Sequence, residues 1–403
     1  MSGACDGVTR LGDIGQIQNC GYILAFDEDA RCPSGMRVVC ASDNIVEVPW
    51  VDASCRTKLL GRDLGEVLDK SLMDTVRSLF KSQQSHKPRA DCIAPNPNGT
   101  VANIYPDSAS RAEIEVEKDL VTLTLVESNP GVYILEQELK HHGAHNSRVG
   151  RNAGIFQVAD LLSYIPVGSN PALSTAALCD ALADAMPAYD RVMVYRFAKD
   201  DGSGEVIHES IRLCSEVRSS YVGLHFPATD IPTNARELFK LRGARFIADT
   251  SAAGVPVSAL HERDTVVDLS RSALRAPAEC HLRYLRNMGV MASLVVAIVV
   301  DGDLWGLFTF HGYSTPVHPS CEERVMVEMT ATIAASLISR HQREEIATTA
   351  FALSGVLVNL TNCRVQDFLS AEHGELLRIL DVDAIVLCEQ MRLLTVYGDK
   401  DLS

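Results

Sequence analysis

The chain has 403 residues, of which 46% are apolar and 22% charged, and a formal net charge of -15. The length is too great for one hydrophobic core and predicts two or three domains, while the acidic balance repels phosphate backbones and anionic lipid and so argues against nucleic-acid and membrane partners. No apolar run approaches the roughly 18 residues needed to span a bilayer, and MSGACDGVTR at the N-terminus has no basic stretch followed by an apolar one, so a cytoplasmic protein without a signal peptide is expected. The twelve cysteines are scattered and form no CxxC pair, which reads as reduced thiols buried as small hydrophobes.

Residues 1 to 135 read as mixed α/β. The runs at Gly21 to Phe26, Met36 to Cys40 and Ile45 to Val48 suggest closely spaced antiparallel strands. Leu60 to Lys81 carries apolar residues at helical spacing, and His86 to Thr100 is rich in Pro, Asn and Lys, which predicts a loop. Two further strands are expected over 120–127 and 131–139. The polar stretch from Lys140 to Arg151 is a linker. Its His141, His142 and His145 have no flanking Cys or carboxylate cluster, so solvated linker is preferred to a metal site.

A second domain over about 150–320 begins with a helix at 172–186 and a strand at 191–197. Leu294 to Val300 and Leu304 to His311 are strands joined by Asp301-Gly302-Asp303, a hairpin signal. Val325, Met329, Ile333 and Leu337 then repeat every four residues, and the helix of 321–347 would be long enough to leave the domain as a connector or a dimer face. From Thr348 a third segment reads as the start of a further domain cut short.

Phosphate-loop, HExxH and GxSxG signatures are absent, and Asp201-Gly-Ser-Gly204 leads into no helix, so it is no phosphate cradle. Three other segments stand out. In Phe226-Pro-Ala-Thr-Asp-Ile-Pro232 an aspartate lies between two prolines just ahead of a helix, which suits either an N-cap or an acceptor held rigidly for a ligand. In the segment Leu274 to Gly289, Cys280 and His281 are adjacent and Tyr284 lies one turn beyond. Neighbours on a helix diverge by about 100°, so covalent capture of a ligand fits better than a Cys/His nucleophile pair. Leu304 to His311 is an apolar strand ending in a histidine.

Together these segments resemble the phytochrome family. PATDIP at 227–232 looks like that family's P-A-S-D-I-P signature. DRVMVYRF at 190–197, LRAPAECHLRYLRNMG at 274–289, LWGLFTFHG at 304–312 and GQIQNCG at 15–21 are similar to its other motifs, in the same order. The resemblance implies an α+β chain with a PAS domain, a GAF domain holding a linear tetrapyrrole (bilin), a connector helix and a partial PHY domain, with an N-terminal segment threaded as a knot. It implies a red/far-red photoreceptor module, a homodimer without enzymatic activity of its own, whose full-length parent could carry a histidine kinase.

By the same resemblance, Asp230, flanked by Ile231 and Pro232, offers its backbone carbonyl to the pyrrole nitrogens and His281 sits against the pyrroles. Arg245 and Arg275 pair with propionates, with Ser293 as a further contact. Tyr195, Phe226, Tyr284 and His311 surround the ring that turns. Cys280 stands where phycocyanobilin or phytochromobilin is attached, and Cys5 where biliverdin is attached in other members. Phe310, Gly312, Cys20, Ala278 and Phe239 depart from the family pattern, and the incomplete third domain predicts weakened photoconversion. The rival readings are a light-independent GAF-type sensor of a cyclic nucleotide or small metabolite, and a bilin-modifying enzyme, for which no redox-cofactor motif is visible.

Overall fold

The computed structural model describes residues 15–48, 51, 54, 58–85, 110–116, 119–128, 130–138, 170–212, 219–241, 243–260, 267–358, 364–389 and 392–398. The expected loop at 86–100, the linker at 140–151 with its three histidines, and Cys5 lie outside the described residues. Two compact units divide the chain, 1–335 and 336–403.

The first unit holds two antiparallel sheets. Strands β1 (Gln16–Ile17), β2 (Gly21–Glu28), β3 (Met36–Ser42), β4 (Ser110–Val116), β5 (Asp119–Glu127) and β6 (Val132–Glu138) belong to a seven-stranded sheet. Between β3 and β4 lie the short helix α1 (Leu64–Val67) and the longer α2 (Lys70–Ser85). The helical pattern expected over 60–81 is therefore broken. Leu68 is extended and bridges to Val51, and Asp69 restarts the helix by accepting from the Leu72 N–H at 2.8 Å. Leu72, Met73, Val76 and Leu79 of α2 pack with Phe26 and Tyr133 of the sheet in one core.

The strand expected at Ile45 to Val48 is instead a 3-10 turn over Asp43–Glu47. Ile45 and Val48 are both buried and three residues apart, which is one turn of a 3-10 helix and so places them on the same side.

The second sheet has the order β10-β12-β13-β7-β8-β9. In chain order its elements are helix α3 (Pro171–Ala185), β7 (Arg191–Phe197), β8 (Gly204–Ile211), β9 (His225–Phe226), helix α4 (Thr233–Leu241), β10 (Ala244–Ile247), helix α5 (Glu279–Asn287), β12 (Ala292–Val300) and β13 (Asp303–Gly312). Asn170 caps α3 by accepting from the Leu173 N–H, with Pro171 at its first turn. The β12–β13 hairpin turns at Asp301 and Gly302, both in the left-handed region with φ of 50° and 91°, as its Asp-Gly sequence predicts.

Strand β11 (Val255–Ala259) belongs in sequence to the second domain, between β10 and α5. It nevertheless pairs with β3 and β1 in the first sheet. Gln18 completes the join: its amide donates to the Phe246 carbonyl and accepts from the Ala248 N–H. The threading expected of the N-terminal segment turns on residues 1–14 and 261–266, outside the described residues.

Helix α6 runs over Cys321–Leu357, 37 residues and ten beyond the end expected from the sequence, or about 55 Å at 1.5 Å per residue. In the second unit helix α7 (Val365–Leu380) packs Phe368, Leu369 and Leu376 on the hairpin of β14 (Ala384–Glu389) and β15 (Arg392–Gly398). Among the described residues no helix is long and apolar enough to cross a membrane.

Candidate functional site

Pleating decides which side chains of the second sheet meet. Residues directly opposite on antiparallel strands share a face, and successive residues alternate faces. In the register of β13 with β7 and β12, Leu307 lies opposite Tyr195, His311 opposite Arg191, and Ser293 opposite His311. Met193, Tyr195 and Phe197 of β7, Leu307 of β13 and Ala297 of β12 form one buried cluster with Phe226, Ile231 and Phe239 packed on it. Tyr195, Ser293 and His311 therefore share one face, against which the loop carrying Ile231 is folded. Tyr195 keeps its place because Gly204, opposite Phe197 on β8, has no side chain; a Cβ there would overlap the Tyr195 phenol ring. Phe310, by alternation, points to the other face and packs on Tyr189 with ring centroids 5.5 Å apart. That departure from the family pattern consequently touches nothing in the site.

The aspartate between prolines is not a helix cap. Helix α4 starts at Thr233, so the cap position is Pro232, and Asp230 lies two residues further out in a turn closed by its N–H to the Pro227 carbonyl at 3.0 Å. Its carboxylate instead lies close enough to the Tyr284 hydroxyl to raise the pKa of that phenol. The turn is held by Arg236, a residue the sequence reading passed over. Its Nε donates to the Ile231 carbonyl at 2.7 Å, and its Nη2 donates to Gly202 at 2.5 Å and to Ala228 at 3.3 Å. The guanidinium carbon stands 4.4 Å from the centroid of the Phe197 ring, within cation–π range. The only prior signal was its place four residues beyond the second proline.

Helix α5 brings the remaining groups. Leu282 and Leu285 are buried and anchor it, and Arg286 ties its last turn to the Thr250 carbonyl at 2.8 Å. Cys280, His281 and Tyr284 are exposed on the rest of its surface. His281 and Tyr284 stack with centroids 6.3 Å apart and an interplanar angle of 15°. Cys280 is disulfide-bonded, while Cys20, Cys32, Cys40, Cys179 and Cys388 are free thiols.

The electrostatics favour neutral imidazoles. Burial, then the positive charge of Arg191, pulls the pKa of His311 down to about 3, and protonation of the nearby His281 would oppose it further. Crowding by the surrounding protein, then the Arg275 charge, lowers that of His281 although its side chain stays open to solvent. Burial raises Tyr284 to about 12, with the Asp230 charge adding to it, so its hydroxyl keeps its proton. Arg245 of β10 donates through Nη1 to the Ser272 carbonyl at 2.9 Å and through Nη2 to that of Ser270, which brings its guanidinium to the segment carrying Arg275. Arg275 is partly buried, with desolvation lowering its pKa and Asp268 opposing. The result is an aromatic wall, a centre of neutral donors and acceptors, and two guanidiniums on adjoining segments. Among the described residues no cluster of three or more His, Cys, Asp or Glu could hold a metal ion.

This donor set suits a long, flat, largely apolar anion. Fold and site together define a GAF-type ligand domain, and the GAF domain family matches residues 175–338. A bacteriophytochrome of Xanthomonas campestris pv. campestris is 36% identical over 211 residues, 49% of this chain and 32% of that protein. Phytochrome E of Arabidopsis thaliana is 44% identical over 170 residues, 38% of this chain and 15% of that protein. The phytochrome-like protein Cph1 of Synechocystis is 30% identical over 322 residues, 78% of this chain and 40% of that protein. The chain thus spans less than half the length of each of these curated relatives. Among solved structures, the photosensory core module of a Stigmatella aurantiaca phytochrome superposes with a TM-score of 0.72 at 25% identity, covering 95% of this chain and 70% of that one. The chromophore-binding domain from the same organism gives 0.63 at 27% identity, over 80% and 96%. The chain belongs to the phytochrome family.

Proposed function

We propose that this chain is a photosensory module that binds a linear tetrapyrrole on the face built by Tyr195, Ser293 and His311. The observation that carries the reading is the convergence of Asp230, Tyr284, His281 and His311, from a loop, a helix and a strand, on one aromatic wall. When bound, the pigment supplies light absorption and isomerisation of a double bond. The residues do the rest. The turn at Asp230, held by Arg236, presents oriented carbonyls to a buried positive charge, which is too costly to leave uncompensated. Arg245 and Arg275 hold propionates through paired N–H donors. Tyr195, Phe226 and Tyr284 enclose the ring that turns. The names of the relatives support this reading over a light-independent metabolite sensor.

Cys280 is the favoured attachment point, with phycocyanobilin or phytochromobilin; Cys5 with biliverdin is the second reading. Attachment through Cys280 is addition of its S–H across a side-chain double bond of the pigment: sulfur bonds to one carbon, the proton goes to the next, and nothing leaves. A thiol reductant must first open the disulfide by two electrons. The division into a PAS-like domain over 1–135, a GAF domain over 150–320 and the beginning of a PHY domain after the long helix belongs to the same proposal. So do a homodimer along that helix, where Ile346 and Phe351 are exposed, and a cytoplasmic location.

The test is expression with phycocyanobilin and with biliverdin separately, followed by absorption spectra before and after red light and zinc staining of a denaturing gel. A coloured, photoconvertible protein with a covalent adduct lost in Cys280→Ala is expected. Loss in Cys5→Ala alone moves the linkage to Cys5. A colourless, unmodified chain with both pigments sinks the proposal.

A further inference from the structure

Next to His311 the sheet carries a polar network for which pigment binding alone gives no task. Arg191, opposite His311 on β7, is 1% exposed. Its guanidinium carbon lies 3.7 Å from the centroid of the Tyr221 ring and 5.6 Å from that of Tyr313. Its Nη2 donates to the Ser219 carbonyl, and its Nε is 3.6 Å from a Glu209 oxygen. The Tyr221 N–H donates to both oxygens of Glu209 at 3.1 Å. Tyr313 is fixed at the end of β13 by its N–H to Asp190 Oδ2 at 2.7 Å. Its ring stands at 80° to His311, and its hydroxyl is 3.5 Å from His311 Nδ1, with the Tyr221 phenol nearby.

We propose that Tyr313 is a positioning residue that locks His311 in the tautomer carrying its proton on Nε2. The Tyr313 hydroxyl has two neighbours, an imidazole nitrogen and a phenol oxygen. The imidazole nitrogen is by far the stronger base, so the Tyr313 proton points to Nδ1. The buried cation of Arg191 opposes protonation of the ring. A neutral imidazole that accepts at Nδ1 carries hydrogen at Nε2, on the opposite edge. His311 is thereby a fixed donor rather than an interchangeable donor or acceptor. This deepens the pigment-binding reading and rests on it only for what that donor meets.

The lock is read without pigment. In the full chain labelled with nitrogen-15 histidine, at neutral pH, the His311 resonances are assigned by their loss in His311→Gln. A protonated Nε2 with an unprotonated Nδ1 is expected in the wild type, and a mixture of the two tautomers in Tyr313→Phe. A protonated Nδ1 in the wild type overturns the proposal, and so does an unchanged tautomer in a folded Tyr313→Phe. Should that variant not fold, the wild-type spectrum decides alone. In the pigment-loaded chain Tyr313→Phe is expected to shift the absorption band. If the lock is present but no pigment binds, the reading of function fails and the lock stands.

Discussion

His311 and Arg191 sit side by side, both almost without solvent contact, one neutral and the other cationic. The energetic consequence is a pH dependence of stability. The folded pKa of His311, about 3, lies below the ordinary value of 6.5, so the unfolded chain takes up the proton first. Its contribution is complete above about pH 6.5 and is lost as pH falls towards 3, at a limiting slope of about 1.4 kcal/mol per unit. Urea denaturation of the pigment-free chain between about pH 6.5 and 5, above the carboxylate range, is expected to show falling stability, with a flatter profile in His311→Gln. An identical profile in the variant would contradict the assignment. Arg236 makes a second demand at this scale. Arg236→Ala removes the donor from three carbonyls of the Asp230 and Gly202 turns. A loss of about 1–3 kcal/mol is expected, measured by the urea midpoint, together with weaker pigment loading. Asp230, His281 and His311 could be singled out in the sequence because the motifs that carry them are local. Arg191, Arg236 and Tyr313 were not, because what they do depends on which strand lies beside them.

At the scale of elements, one buried ion pair ties the N-terminal sheet to helix α6. Arg324, in the first turn of the helix, donates through Nη1 to Glu138 Oε2 at 2.8 Å and through Nη2 to Oε1 at 2.5 Å, and it also donates to the Pro319 carbonyl at 2.8 Å. Glu138 ends β6, and His318 Nε2 is 3.5 Å from it. Removing one partner strands the other charge: Glu138→Ala is expected to lose about 3–5 kcal/mol, seen as a lower urea midpoint with an unchanged slope. Replacing both by apolar residues of similar volume, Glu138→Leu with Arg324→Met, is expected to recover most of that loss. Elements with strong local patterns, such as α3 and the β12–β13 hairpin, were readable from period and turn chemistry. Strand β11 was not. Val255 to Ala259 contains a proline and has no buried residue, so nothing in its pattern announces a strand, and only pairing with β3 makes it one. Ile45 to Val48 failed in the opposite direction, since a short apolar run fits a strand and a 3-10 turn equally well.

At the scale of the molecule, β11 makes the two sheets of the first unit mechanically dependent. Val257 donates its N–H to the Gly15 carbonyl at 2.9 Å and stands opposite Ser42. Val257→Pro removes that donor, at about 1–3 kcal/mol for the lost hydrogen bond. Hydrogen exchange followed by mass spectrometry is expected to show protection falling together in β2–β3 and in β12–β13. A fall confined to one sheet would mean that the two open independently. The same feature limits how such a chain can be recombined. A graft cut at the polar linker near residue 145 would carry away β3 and leave β11 behind, an edge with no host. A working chimera must move Gln16–Ile17 and Val255–Ala259 in the same piece as the sheet they complete, although more than two hundred residues of sequence separate them.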